Sequence, residues 1–96
     1  MGIDRTVLDR REQILRIASE SGGRNVRIFG SRARGEVGPE SDIDVLIDLE
    51  PGRSLLDIVA IQQDLEDLLG CRAHVVTESA ISHHFRDRAL KEAVAL

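Results

Sequence analysis

Two aspartates separated by one residue, Asp42-Ile43-Asp44, follow a glycine-serine pair, Gly30-Ser31, with Asp42 eleven positions past the serine. Of all residues in the chain, these have the types and spacing best suited to chemistry. On a strand, two aspartates at that spacing project from one face with Cβ atoms roughly 6–7 Å apart, at a rise of about 3.3 Å per residue. That separation suits a shared cation, and unpaired acids so close repel each other unless a metal is bound. Hard oxygen donors favour Mg²⁺ or Mn²⁺, the cations that also hold nucleotide phosphates. A solvent-facing polar edge would carry the same D-x-D pattern, so the aspartates alone do not decide between the two.

The glycine-serine pair bears on that choice. A strand ending in Gly30-Ser31 lets backbone N–H groups and a hydroxyl converge on a phosphate, with glycine admitting close approach and the following helical turn presenting its N-terminus. A plain strand-to-helix turn is the alternative. No Gly-Lys-Ser/Thr follows, so this is not a Walker A loop, and the spaced glycines of a dinucleotide fingerprint are absent. What remains is a phosphate turn and a metal pair joined by the ten residues from Arg32 to Ser41. Arg32 and Arg34 can pair with phosphate oxygens there, or with Glu36, Glu40 or another carboxylate.

The elements that must position these residues are legible in the hydrophobic pattern. Residues 4–20 read as one helix with Val7, Leu8, Ile14, Leu15 and Ala18 on its apolar face, ended by Gly22-Gly23. Arg11 interrupts that face and either snorkels outward or meets an anionic group. Asn25 to Phe29 reads as a short strand running into Gly30. From Asp42 to Leu49 the alternation is strict, with Ile43, Val45, Ile47 and Leu49 on one face and Asp42, Asp44, Leu46 and Asp48 on the other. Glu50-Pro51-Gly52-Arg53 is a turn, and Ser54 to Asp57 is a capping box opening a helix with Leu55, Ile58, Ile61, Leu65 and Leu68 inward, stopped by Gly70. Arg72 to Thr77 is a third strand and Glu78 to Leu96 a closing helix. The expected architecture is a single α/β domain over residues 1–96, a small mixed sheet of about three strands packed against helices.

The stretch Gly30-Ser31-Arg32-Ala33-Arg34-Gly35, then Ser41-Asp42-Ile43-Asp44, closely resembles the G-S-x10-D-x-D signature of the polymerase-beta-like nucleotidyltransferase superfamily. It is most similar to the minimal (MNT-type) members that are antitoxin partners of HEPN-domain toxins. The resemblance implies that Gly30 and Ser31 hold the phosphates of ATP, with Arg32 and Arg34 as further nucleotide ligands. It implies that Asp42 and Asp44 ligate Mg²⁺, with Mn²⁺ as a substitute, in a two-metal displacement that transfers AMP and releases pyrophosphate. The acceptor implied is a hydroxyl of a cognate HEPN toxin, bound as a hetero-oligomer and neutralised by the modification. The third strand normally adds an acid, in a context like Val-Asp-Leu-Val-Thr. Here Ala73-His74-Val75-Val76-Thr77 puts His74 in its place, where an imidazole can ligate a metal or accept a proton from the attacking hydroxyl. The competing reading is a catalytically weak or inactive domain that neutralises its partner by stoichiometric binding.

Composition narrows the remaining classes. Among 96 residues, 42% hydrophobic and 31% charged, there is no Trp or Tyr and only two Phe. Stacking platforms for single-stranded nucleic acid are therefore scarce, and direct nucleic-acid binding is disfavoured. Residues 1–34 carry eight Arg against four acids, whereas the remainder carries five bases against thirteen acids. Arg27, Arg32 and Arg34 are expected to draw an anion toward the Gly30-Ser31 turn. Cys71 is the single cysteine, which excludes an internal disulfide, and it reads as a passive residue beside a turn. His83-His84 diverge by about 100° on a helix and make a poor metal pair. Asp48, Glu66 and Asp67 read as solvated surface. With no apolar run of signal-peptide or membrane-span length, a cytoplasmic location is expected.

Overall fold

The computed structural model describes residues 5–35, 42–81 and 83–96, and only the backbone of Ser31, His83, His84 and Phe85. Two short helices open the chain, α1 (Arg5–Asp9) and α2 (Arg11–Glu20). The single helix expected here is broken at Arg10, whose φ of −109° and ψ of 15° leave the helical region. The break turns Leu8 outward, 44% exposed, while Val7, Ile14 and Ala18 stay in the core. Arg11 settles its exception to the apolar stripe by donating from Nε to the main-chain oxygen of Leu96 at 2.6 Å.

Strands β1 (Gly23–Phe29), β2 (Ile43–Leu49) and β3 (Ala73–Thr77) form a sheet with a fourth, β4 (Val94–Ala95), in the order β3-β2-β1-β4. β1 and β2 are antiparallel, with a bulge between Arg24 and Arg27 where Asn25 takes a φ of 52°. β2 and β3 are parallel, as a crossover through helix α3 (Leu55–Leu69) requires. The expected closing helix is shorter than its pattern suggests: a 3-10 turn (Glu78–Ala80) precedes α4 (His83–Glu92), and the tail pairs antiparallel with β1, Val94 opposite Ile28. The physical reason is the open edge of β1, whose backbone groups need partners; Leu96 N donates to Val26 O at 2.9 Å.

Each sheet face is covered. Ile43, Val45, Ile47, Ala73 and Val75 pack with Ile14, Ala18, Ile61 and Leu65 under α2 and α3. On the opposite face Leu46, Phe29 and Ala89 form a second cluster with Val76, Ile81 and Leu90. Leu46, on the polar side of the alternation, is thus fully buried. The capping box of α3 forms as its sequence dictates, Ser54 Oγ accepting from Leu56 N and Asp57 from Ser54 N, and Gly70 ends the helix at φ 70°. Leu55 does not face the core: in the first turn of α3, Leu55 and Leu56 are 73% and 78% exposed.

Candidate active site

β1 delivers Phe29 opposite Asp44 in the antiparallel ladder, so the next residue, Gly30, turns directly beside that carboxylate. Gly30 has a φ of 74°, and a Cβ built on it would lie 2.5 Å from Asp44 Oδ2. Only glycine satisfies both the left-handed backbone and the close approach. The chain continues into a 3-10 turn, Ser31–Arg34, with Ala33 N donating to Gly30 O at 3.1 Å.

β3 closes the other side. Asp44 and His74 are register partners, and Ile43 N donates to Arg72 O at 2.9 Å, locking the two strand starts together. Ala73 and Val75 point into the core, which leaves His74 on the outer face with the aspartates. There His74 Nε2 lies 3.1 Å from Asp42 Oδ2, with both side chains about half exposed. Gly30, Asp42, Asp44 and His74 are therefore brought together at one end of the sheet, where β1 stops and β2 and β3 start. Asp44 is half-buried, and loss of solvent pushes its carboxyl above the ordinary aspartate range; the adjacent His74 lowers it and the charge of Asp42 raises it further.

Among the described residues, no group of three or more His, Cys, Asp or Glu side chains is arranged to hold a metal ion. Mg²⁺, however, is commonly bound through one or two carboxylates, with substrate phosphates and water completing its shell. The donor set fits that pattern: two hard carboxylates on one face, one of them half-buried and packed against a glycine turn where a Cβ would collide with it.

The arginines divide differently from the charge pattern. Arg27 lies away from the turn and bridges Asp48 and Glu78 at 3.0 and 2.9 Å, so it ties β1 to β2 and to the turn after β3. Arg32 is buried, 1% exposed, with no buried side-chain polar atom left unpaired among the described residues. Arg34 Nη1 lies 2.8 Å from both carboxylate oxygens of Glu92, fastening the turn to α4. The side chain of Ser31 and those of His83 and His84 lie outside what is described. Asp48 is half exposed, as expected. Glu66 is not merely solvated: its Oε2 accepts from Ala73 N at 3.0 Å, and Gln62 Oε1 accepts from Val75 N at 3.3 Å. These two bonds occupy the outward N–H groups of the edge strand that carries His74. Helical periodicity places both residues on a polar flank and gives no sign of this role. Cys71, half-buried, sits at the α3–β3 corner with Arg72.

A family description of the nucleotidyltransferase domain matches residues 11–96, from α2 through the site to β4. The chain belongs to the nucleotidyltransferase domain family. It is 41% identical to a solved structure described as a putative minimal nucleotidyltransferase, with a TM-score of 0.85 over 98% of this chain and 97% of that one. Protein adenylyltransferase MntA of Thermococcus cleftensis is 38% identical, over 76% of this chain and 74% of its own. The putative protein adenylyltransferase MJ0435 of Methanocaldococcus jannaschii is 40% identical, over 88% of this chain and 90% of its own. The fold expected from the sequence is thus the minimal nucleotidyltransferase fold, with β4 as the strand that helical periodicity had concealed. Among the described residues, no helix of this nucleotidyltransferase domain is long and apolar enough to cross a membrane.

Proposed function

We propose that this nucleotidyltransferase transfers AMP from ATP to a hydroxyl of a cognate HEPN-domain toxin in the cytoplasm, neutralising it within a hetero-oligomeric complex. The observation that carries the reading is the approach of the Gly30 backbone to the Asp44 carboxylate, with Asp42 and His74 on the same face. The names of its relatives support a protein as the acceptor, and the HEPN partner rests on the motif resemblance.

In this reading Gly30 and Ser31 cradle the triphosphate, while Asp42 and Asp44 hold Mg²⁺, with Mn²⁺ as a substitute. The ion, when bound, supplies charge neutralisation at the phosphates and at the developing negative charge. The acceptor oxygen bonds to the α-phosphorus as the bond to the bridging oxygen breaks, and pyrophosphate leaves. The hydroxyl's proton passes to the imidazole of His74. Arg34 can reach a phosphate by exchanging its Glu92 partner, and Arg32 braces the turn from the interior.

Incubation with labelled ATP, Mg²⁺ and the HEPN protein encoded by a neighbouring reading frame should label that protein, and Asp42→Ala or Asp44→Ala should abolish the label. No label across a range of divalent ions would overturn the catalytic reading. Neutralisation by stoichiometric binding alone has one observation in its favour, the exposed Leu55, Leu56 and Val59 on α3. If Asp42→Ala retains the complex and still protects cells, binding suffices.

A further inference from the structure

We infer that the site takes one divalent cation per nucleotide, held by Asp42 and Asp44, and that His74 closes the position beside Asp42 to a second. The inference rests on the nucleotide-site reading above and deepens it. A two-metal displacement needs carboxylate oxygens for two ions about 3.5–4 Å apart. On the outer face of β2 and β3, the described carboxylates within reach are those of Asp42 and Asp44. One of their four oxygens, Asp42 Oδ2, is already engaged by His74 Nε2 at 3.1 Å. A second ion on that side would have to displace this contact. It would also approach Arg72, which precedes Ala73, the register partner of Ile43, and therefore stands beside Asp42. Arg72 is exposed and lines the same surface depression as Asp42, with Glu66, Gly70 and Cys71. Its guanidinium makes no side-chain hydrogen bond or ion pair among the described residues, so its charge is not cancelled by a partner there. Among the described residues, the β3 side of Asp42 thus offers an imidazole and a guanidinium, and the carboxylate that shares the depression, Glu66, already accepts from Ala73 N. On the Gly30 side Asp44 Oδ2 lies against the glycine turn, while His74 is engaged with Asp42, and a single ion shared with the phosphates completes its shell without a third protein ligand.

The test is a count of bound Mn²⁺ by electron paramagnetic resonance, with α,β-imido-ATP, an analogue that cannot transfer AMP, at saturation. The expected result is one Mn²⁺ per wild-type chain and two per His74→Asp chain, with His74→Asn, which adds no charge, remaining at one. Two ions in the wild type would overturn the inference, as would a folded His74→Asp variant that still binds one. Binding of neither analogue nor Mn²⁺ to the wild type would instead remove the nucleotide site itself, and with it the proposed transfer. Wild-type and His74→Asn counts stand even if the third carboxylate prevents folding.

Discussion

Gly30 and Asp44 are in contact through absence: the side-chain position that glycine lacks is the one the Asp44 carboxylate fills. Gly30→Ala must both hold an L-residue at positive φ and displace Oδ2. We expect a loss of about 1–3 kcal/mol, from the left-handed penalty and the local strain, read as a lower urea midpoint. Weakened ATP analogue binding should accompany it. Unchanged stability and affinity would show that the turn relaxes freely and is not fitted to the carboxylate.

Asp44 is costly to ionise in the folded chain. Its carboxyl lies above the ordinary aspartate range, chiefly through burial. The folded state therefore holds this proton to higher pH than the unfolded state does. Its contribution is fully present below the unfolded pKa and is lost as pH rises through the raised folded value. Asp44→Asn removes that loss, so without divalent ions the variant should be the more stable at neutral pH. Its advantage should shrink as the buffer is taken down through the carboxylate range. Thermal melts of the two proteins from pH 3 to pH 7 check this, and an advantage that grows toward low pH contradicts it.

Mg²⁺ with a non-transferable ATP analogue should stabilise the wild type by about 2.7 kcal/mol at a hundredfold excess over its dissociation constant. For a domain of this length that is a rise of roughly ten degrees or more in melting temperature. Asp42→Ala should show little of the rise. A melting temperature indifferent to millimolar nucleotide and Mg²⁺ would argue against a nucleotide site between these residues.

Glu66 acts on the site through the backbone, by holding the start of β3. Glu66→Ala leaves the Ala73 N–H without its acceptor and should cost about 1–3 kcal/mol, whereas Glu66→Gln, which keeps an acceptor oxygen, should recover most of it. Equal denaturation midpoints for the Ala and Gln variants would show that the bond is incidental.

The parts of the molecule legible in the sequence are those set by local rules. Strict alternation placed Ile43, Val45 and Ile47 inward, Ser54 and Asp57 announced a helix start, and Gly70 announced its end. Alternation in Ala73-His74-Val75 leaves His74 on the outer face, where its Nε2 lies 3.1 Å from Asp42 Oδ2. What escaped was decided by tertiary partners. Val94 and Ala95 continue a plausible helical pattern, but the unpaired edge of β1 draws them into a strand. Leu55 has the right spacing for the core yet is left exposed in the first turn of α3. Arg27 adds to a basic run in sequence, but the carboxylates of Asp48 and Glu78 are what fix it. The roles of Glu66 and Gln62 depend on an edge strand whose existence periodicity on α3 cannot reveal.

The connectivity of the sheet also sets an order in which the site can be built. β1 and β2 are neighbours in sequence and close as a local antiparallel pair, so Gly30 meets Asp44 through a contact of short range along the chain. β3 joins in parallel only after α3 has crossed the sheet, a longer loop to close and hence a later event by topology. By topology alone, a folding chain can set Asp44 against the glycine turn before His74 arrives to engage Asp42. Transient detachment of β3 would return the site to that earlier condition, with Asp42 released from His74 while Gly30 still meets Asp44.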